Sequence, residues 1–360
     1  GQVPGQLGGM ARRPPWHTGA PHGLLRSGPW AVGVQGPQPG PIPESWGGGV
    51  LRGISSVSAP PTNPLEPKKM QGSFLLSCPD KCSIIHEITA LIARHQASVL
   101  SCDIHTDRDD PAGPQLLCRT AFEFDPAVWG REQMQHDFAG LAGSFRAPQW
   151  KVHVPGADRR LRVGVLVSWQ DHVLLDLLNR WHAGDVDVDV TCVISNHWRD
   201  TGTHFSQVLA RHGIPFRFLP ITEGKGAQEA EVLRAVVGTD FLVLARYMQV
   251  LSGDFLRDYG RDVINIHHGL LPSFKGANPY KQAYQAGVKM IGASSHFVTE
   301  TLDEGPLIEQ LVTRVSHRDS LAQFAQESQD LERQCLANAV QKYVQRRLLR
   351  ISYNRVAVMN

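Results

Sequence analysis

Between Leu161 and Ala245 the chain repeats one pattern: a short, almost unbroken apolar run, then a stretch whose apolar residues recur at helical spacing. The runs are Leu161–Ser168, Val186–Ser195, Pro215–Leu219 and Phe241–Ala245, with helical stretches at Val173–Trp181, His204–Arg211 and Ala227–Val237. A strand that is apolar on both faces must be covered on both faces, and helices between such strands act as crossover connections. The pattern predicts a parallel, doubly wound α/β sheet. It also places any ligand at the carboxyl ends of the strands.

Residues upstream differ in texture. Ser73–Cys78 is a short apolar strand followed by Pro79-Asp80, with Asp80 as the expected helix cap. Ile84, Ile85, Ile88, Leu91 and Ile92 then form the stripe of a helix lying on a sheet. Ser98–His105 and Gln115–Phe124 are expected to form a hairpin across a turn rich in Asp, Pro and Gly, followed by a helix over Glu132–Leu141 and a strand over Trp150–Val154. The order βαββαβ is that of the ferredoxin-like fold.

Residues 1–67 hold 14 of the 34 glycines and 13 of the 24 prolines, with four Arg and only Glu44 and Glu66 as acids. Such a segment buries too little apolar surface to offset its ordering entropy, so a disordered extension over 1–70 is expected. Its low acid content with scattered Arg suggests a transit segment. The other reading is an upstream translation with the start at Met70. The expected domains are thus 1–70, a ferredoxin-like unit over 71–155 and a catalytic unit over 160–360.

The hydrophobic share is 42%, which excludes a fibrous or wholly disordered chain. Thirty-six Lys and Arg against 34 Asp and Glu leave a net charge of +2, so nothing in bulk charge points to nucleic acid or a membrane surface, and no apolar run is long enough to span one. The six cysteines form no paired C-x-x-C spacing, so free thiols, a reducing compartment and no metal site are expected.

The densest polar cluster is Asp262-Val-Ile-Asn-Ile-His-His268, followed by the loop Gly269–Gly276. Along a strand Asn265 and His267 share one face, while Ile264, Ile266 and His268 point to the other. An amide donor beside an imidazole can polarise a carbonyl while the imidazole moves protons. Downstream, Lys289–Thr299 and Pro306–Val315 flank the acidic turn Glu300-Thr-Leu-Asp-Glu-Gly305. A carboxylate there can face a histidine and favour its charged form. Asp303 is the candidate, with Glu300 and Glu304 left open by the residues alone.

Asn265–Ala277, with Pro279-Tyr280, Gly287, Gly292 and Leu302–Pro306, resembles the folate-dependent formyltransferase superfamily. Residues 73–95 resemble an ACT domain, a module that commonly binds amino acids and pairs with its own copies. Together with the paired His267-His268 and the Leu302-Asp-Glu-Gly-Pro306 turn, this resembles the formyltetrahydrofolate deformylases. Some positions depart from that pattern: Cys82-Ser83 stands where Gly is usual, Gly269 where Ser is usual, Gln249 where Arg is common and Ser294-Ser295 where Thr-Ala is usual.

The resemblance implies an ACT-like unit ahead of a Rossmann-like formyltransferase domain, and hydrolysis of 10-formyltetrahydrofolate to formate and tetrahydrofolate in one-carbon and purine metabolism. It implies Asn265, His267 and Asp303 as catalytic residues. Met248, Gln249, Val250 and Leu251, from the stretch Leu244–Leu251, would hold the pterin ring. His296, by its place on the strand before the acidic turn, either lines the pocket or is structural. No cofactor is implied beyond the folate substrate. Implied partners are a possible amino-acid effector and further copies of the chain, in the cytoplasm, or in the mitochondrion if the extension is a genuine leader.

The turn Ser168-Trp-Gln-Asp-His172 lacks the glycines that cradle a phosphate, and Asp171 would repel one, which favours water over a phosphorylated acceptor. Two alternatives remain: transfer to a non-phosphorylated amine, and a non-catalytic amino-acid sensor. The last helix is expected over Ser320–Leu349, with Arg346, Arg347 and Arg350 at its carboxyl end.

Overall fold

The computed structural model describes residues 69–360 except 223 and 353, so the expected extension falls almost entirely outside the described residues. The first unit runs β1 (Met70–Pro79), α1 (Ile84–Arg94), β2 (Ser98–Asp107), β3 (Gln115–Phe124), α2 (Arg131–Ser144) and β4 (Gln149–His153). Its sheet has the order β2-β3-β1-β4 and is antiparallel throughout, the ferredoxin-like arrangement. Phe74, Phe122, Trp129 and Phe138 are fully buried between the sheet and its helices. α1 begins after Ser83, which takes left-handed geometry at φ 77°, rather than at Asp80. The Asp80 amide is already bonded to Pro114 O at 2.9 Å, so that residue closes the strand end instead of capping the helix.

The second unit runs β5 (Leu161–Val167), α3 (His172–Ala183), β6 (Val188–Ser195), α4 (His204–Arg211), β7 (Phe216–Phe218), α5 (Lys225–Ala235) and β8 (Phe241–Leu244). It continues through α6 (Gly253–Tyr259), β9 (Val263–His267), α7 (Pro279–Gln285), β10 (Met290–Phe297), β11 (Leu307–Arg314) and α8 (Leu321–Val344). The seven strands lie in the order β11-β10-β9-β8-β5-β6-β7. From β9 to β7 the neighbours are parallel, as the crossover pattern demands. β10 runs antiparallel to β9 and to β11, so the sheet is mixed rather than wholly parallel. The short acidic turn between β10 and β11 leaves no chain for a crossover, so that pair must be antiparallel.

α8 carries a capping box, with Ser320 N donating to Gln323 Oε1 at 2.7 Å and Gln323 N to Ser320 Oγ at 3.3 Å. The helix ends at Val344, short of the expected Leu349, because the chain turns into a hairpin of β12 (Leu348–Ser352) and β13 (Arg355–Val358). Leu349 and Met359 there pack on Leu75 and Leu117 of the first sheet. Arg350 therefore lies on a strand, over the Phe297 ring at 4.3 Å and paired with Asp262, and does not terminate the helix.

Candidate active site

β8 and β9 end side by side at the centre of the mixed sheet, Leu244 in register with Asn265. This is where crossover helices leave a crevice. A cavity of about 260 Å³ opens there. Asn265, His267, His296 and Asp303 line it together, and Met248, Gln249, Val250 and Leu251 form its other wall. Met248 and Val250 are 52% and 49% exposed, while Leu251 is buried and anchors the loop in the core. Ile264 and Ile266, the alternate residues of β9, pack into the main core.

β10 carries His296 opposite Asn265. The His296 Nδ1–H donates to Phe297 O at 2.8 Å, so Nε2 is the acceptor that meets Asn265 Nδ2–H at 3.2 Å. Burial, first of all, pushes the His296 pKa below the usual imidazole value, consistent with this neutral tautomer. The neutral ring orients the Asn265 amide. Asn265 O also accepts from Ser295 Oγ at 3.1 Å, which ties β9 to β10 behind the site.

His267 is held at both ends of its ring: Nε2 lies 3.1 Å from Phe274 O and Nδ1 lies 3.4 Å from Asp303 Oδ2. Both ring nitrogens therefore face oxygen atoms, which fixes the orientation of the ring. Asp303 is only 8% exposed. Burial by itself raises its pKa, but the His267 hydrogen bond and charge, the Gly276 N–H at 3.1 Å and His296 outweigh that and hold it below the usual carboxylate value. The carboxylate choice left open by the sequence is made by geometry. Glu304 pairs with Lys275 at 2.8 Å and Glu300 with Arg257 at 3.5 Å, both at the surface.

Two features of the turn bring Asp303 inward. Asp303 takes left-handed backbone geometry at φ 56°. At Gly305 an added Cβ would lie 1.7 Å from Phe297 O, so only glycine permits this closeness of turn and strand. Gly269 is similarly closed, since a Cβ would meet Pro279 Cβ at 2.7 Å and His267 Nε2 at 3.1 Å.

Sequence reasoning did not single out Arg246 or Glu332. Arg246 also lines the cavity, at left-handed geometry, φ 63°. Glu332 is 1% exposed on α8 and bonded to His172 Nε2 at 2.8 Å. The available signal was a polar pair, Ser328 and Glu332, continuing the buried stripe of Phe324 and Leu336. His268, placed on the opposite face by strand alternation, lines the cavity too, because the strand ends at His267.

The turn after β5 is closed on itself. Ser168 Oγ donates to Asn196 Oδ1 at 2.8 Å and accepts from Met248 N at 2.9 Å, and Arg199 binds Ser168 O at 2.7 Å. Trp169 projects outward, 67% exposed. Among the described residues no group of three or more His, Cys, Asp or Glu could hold a metal ion, and no helix is long and apolar enough to cross a membrane.

An amide, an imidazole and a carboxylate at the strand ends of a mixed α/β sheet are the equipment of an acyl-group enzyme. Residues 161–340 match the family described as formyl transferase. A relative from Arabidopsis thaliana, formyltetrahydrofolate deformylase 2, mitochondrial, is 48% identical over 294 residues, 82% of this chain and 88% of its own length. The formyltetrahydrofolate deformylase of Bacillus subtilis is 35% identical over 81% of this chain and 94% of its own. A crystal structure of a formyltetrahydrofolate deformylase from Pseudomonas syringae superposes with a TM-score of 0.72 at 35% identity, covering 82% of this chain and 96% of that one. The chain belongs to the formyl transferase family, within its formyltetrahydrofolate deformylase group.

Proposed function

We propose that the chain hydrolyses 10-formyltetrahydrofolate to formate and tetrahydrofolate, with Asn265, His267 and Asp303 carrying the chemistry. The observation behind this reading is the convergence of Asn265, His267 and Asp303 in one cavity whose other wall is the loop Met248–Leu251. Exposed apolar side chains on that loop suit a flat heterocycle, and its main chain suits the polar edge.

Water adds to the formyl carbon and gives up a proton to the Asp303 carboxylate, which its low pKa keeps ionised at neutral pH. The oxyanion that forms is met by the Asn265 Nδ2–H that His296 leaves free, while His267, held between Phe274 O and Asp303, keeps the carboxylate in place beside it. Collapse breaks the bond from the formyl carbon to N10, the proton held by Asp303 passes to N10, and the formic acid formed gives its proton to solvent, leaving formate and tetrahydrofolate. No metal or redox cofactor is part of this reading.

Water as acceptor is favoured by the closed turn after β5, whose carbonyl oxygens are bound by Arg199 and which offers no glycine for a phosphate to approach. The test is formate release by the full chain from 10-formyltetrahydrofolate with no amine present. Formate and tetrahydrofolate in equal amounts are expected. Release only after an amine is added would replace hydrolysis by transfer, and absence of folate binding would favour a sensor.

The first unit is assigned to assembly and to an amino-acid effector. Edge strand β2, with Val99, Leu100 and Ile104 exposed, supports the assembly role, and light scattering that finds only monomer would remove it. The acid-poor, Arg-bearing stretch before Lys69, with plant relatives named mitochondrial, supports a mitochondrial address. Failure of that stretch to carry a fluorescent reporter into mitochondria would refute it.

A further inference from the structure

The cavity also contains a guanidinium that the mechanism above does not use. Arg246 is 6% exposed and lines the same space as His267. Its Nη2 donates to Gln170 Oε1. Nη1 stands 3.4 Å from Glu332 Oε2, yet neither Nη1 nor Nε has a hydrogen-bond partner among the described residues. The carboxylate is engaged elsewhere, by His172 Nε2 at 2.8 Å on Oε2 and by Ser328 Oγ, which donates to Oε1 at 3.0 Å. Buried polar groups in folded proteins are almost always satisfied, and an unmet cationic N–H is costly. Arg246 lines the cavity, so an acceptor bound there has this guanidinium as its neighbour.

His268 borders the same space, 5% exposed. Burial first, then the neighbouring Arg246 and His267 charges, lower its pKa to about 2, so it is a neutral imidazole with one N–H to donate.

We propose that Arg246 and His268 form an anion subsite that receives formate as the formyl carbon becomes a carboxylate. This rests on the deformylase reading, which supplies a carboxylate product beside His267. A planar carboxylate matches the fork of a guanidinium, and a small monoanion suits a space that also contains the Asp303 carboxylate and has Glu332 behind it. A phosphate dianion meets those same carboxylates and is repelled. The subsite favours the product carboxylate over the neutral formamide, which shifts the equilibrium between the bound species toward formate.

The experiment titrates ¹³C-formate into the full chain without folate and follows the formate line width. Tetrahydrofolate affinity is measured separately. Wild type is expected to bind formate, and Arg246→Met to bind it at least about tenfold more weakly, with tetrahydrofolate affinity retained. Because Arg246→Met leaves Glu332 buried without its guanidinium, the double variant Arg246→Met, Glu332→Gln removes both charges and should show the same loss. Formate binding of equal strength in wild type and either folded variant overturns the proposal. So does wild type that binds no formate, or inorganic phosphate that displaces formate at equal concentration. A wild type that binds formate and shows the loss on substitution, but does not bind tetrahydrofolate, keeps the anion subsite and removes the folate reading.

Discussion

Asn265 and Asp303 are positioned by different means, and their substitutions should fail differently. The Asn265 amide is aimed by the His296 ring, at 3.2 Å, so Asn265→Ala removes the proposed oxyanion donor and leaves His296 in place. Losing such a donor costs about 10²–10³ in kcat, and steady-state assay of the folded variant is expected to find a loss of that size. Asp303→Asn is the cleaner carboxylate variant, because asparagine tolerates the left-handed geometry at φ 56° better than alanine. It too should lose at least about 10²-fold in kcat, in the range ascribed to acid–base groups. Near wild-type turnover in either variant would remove its assigned role.

Asp303 has a second consequence at the same scale. Its pKa is lowered in the folded state from the usual 3.8, so the unfolded chain binds that proton more readily. Its contribution to stability is fully present above the unfolded value and is lost as pH falls through the folded one. The gap in melting temperature between wild type and Asp303→Asn is therefore expected to narrow from pH 7 to pH 3. A gap that widens toward acid would contradict the assignment of the carboxylate as the stabilising form.

Among the elements, the turn between β10 and β11 carries most of the site's precision. Gly305 admits no Cβ because Phe297 O would lie 1.7 Å away. Gly305→Ala must displace Asp303 or open the pairing of β10 with β11, at a cost of about 2–3 kcal/mol typical of severe backbone conflicts. A thermal melt is expected to show the destabilisation and an assay a loss of turnover beyond what the melt explains; wild-type behaviour in both would refute the close approach. Much of this element was legible beforehand. Alternation along β9 put Asn265 and His267 on one face, and the Gly and Pro around the acidic turn marked a tight reversal. The choice of Asp303 over Glu300 and Glu304 was not legible, since it depends on which carboxylate the turn geometry directs inward. The direction of β10 against β9 was not legible either, because apolar runs carry no sign of parallel or antiparallel pairing, whereas the tight turn did mark β11 as the return of β10.

For the whole molecule, the last residues act as a clasp. The hairpin β12–β13 places Leu349 and Met359 against Leu75 and Leu117, and Arg119 Nη1 binds the Asn360 carbonyl at 2.9 Å. Gln149 Nε2 adds a bond to Arg350 O at 2.7 Å, and Arg355 Nη2 pairs with Asp107 at 2.6 Å. Removing residues 347–360 should uncover that apolar face of the first sheet and loosen its attachment, seen as faster amide exchange in β1 and β3 and a lower melting temperature. Unchanged exchange there would show that the sheet stands without the hairpin.

The sequence by itself determined the two architectures, since strand and helix periodicities and the spacing between apolar runs are local properties of the chain. It also put Asn265 and His267 on one face, because the two lie two residues apart on one strand and need no tertiary contact to share it. Tertiary structure alone decided the rest. Arg246 and Glu332 are 86 positions apart by number and meet at 3.4 Å only because β8 and α8 pack together, and the end of α8 at Val344 follows from the apolar face of the first sheet that Leu349 and Met359 cover. Burial, charge pairing and the satisfaction of polar groups depend on what surrounds a residue in space, and that information is not carried by any local pattern.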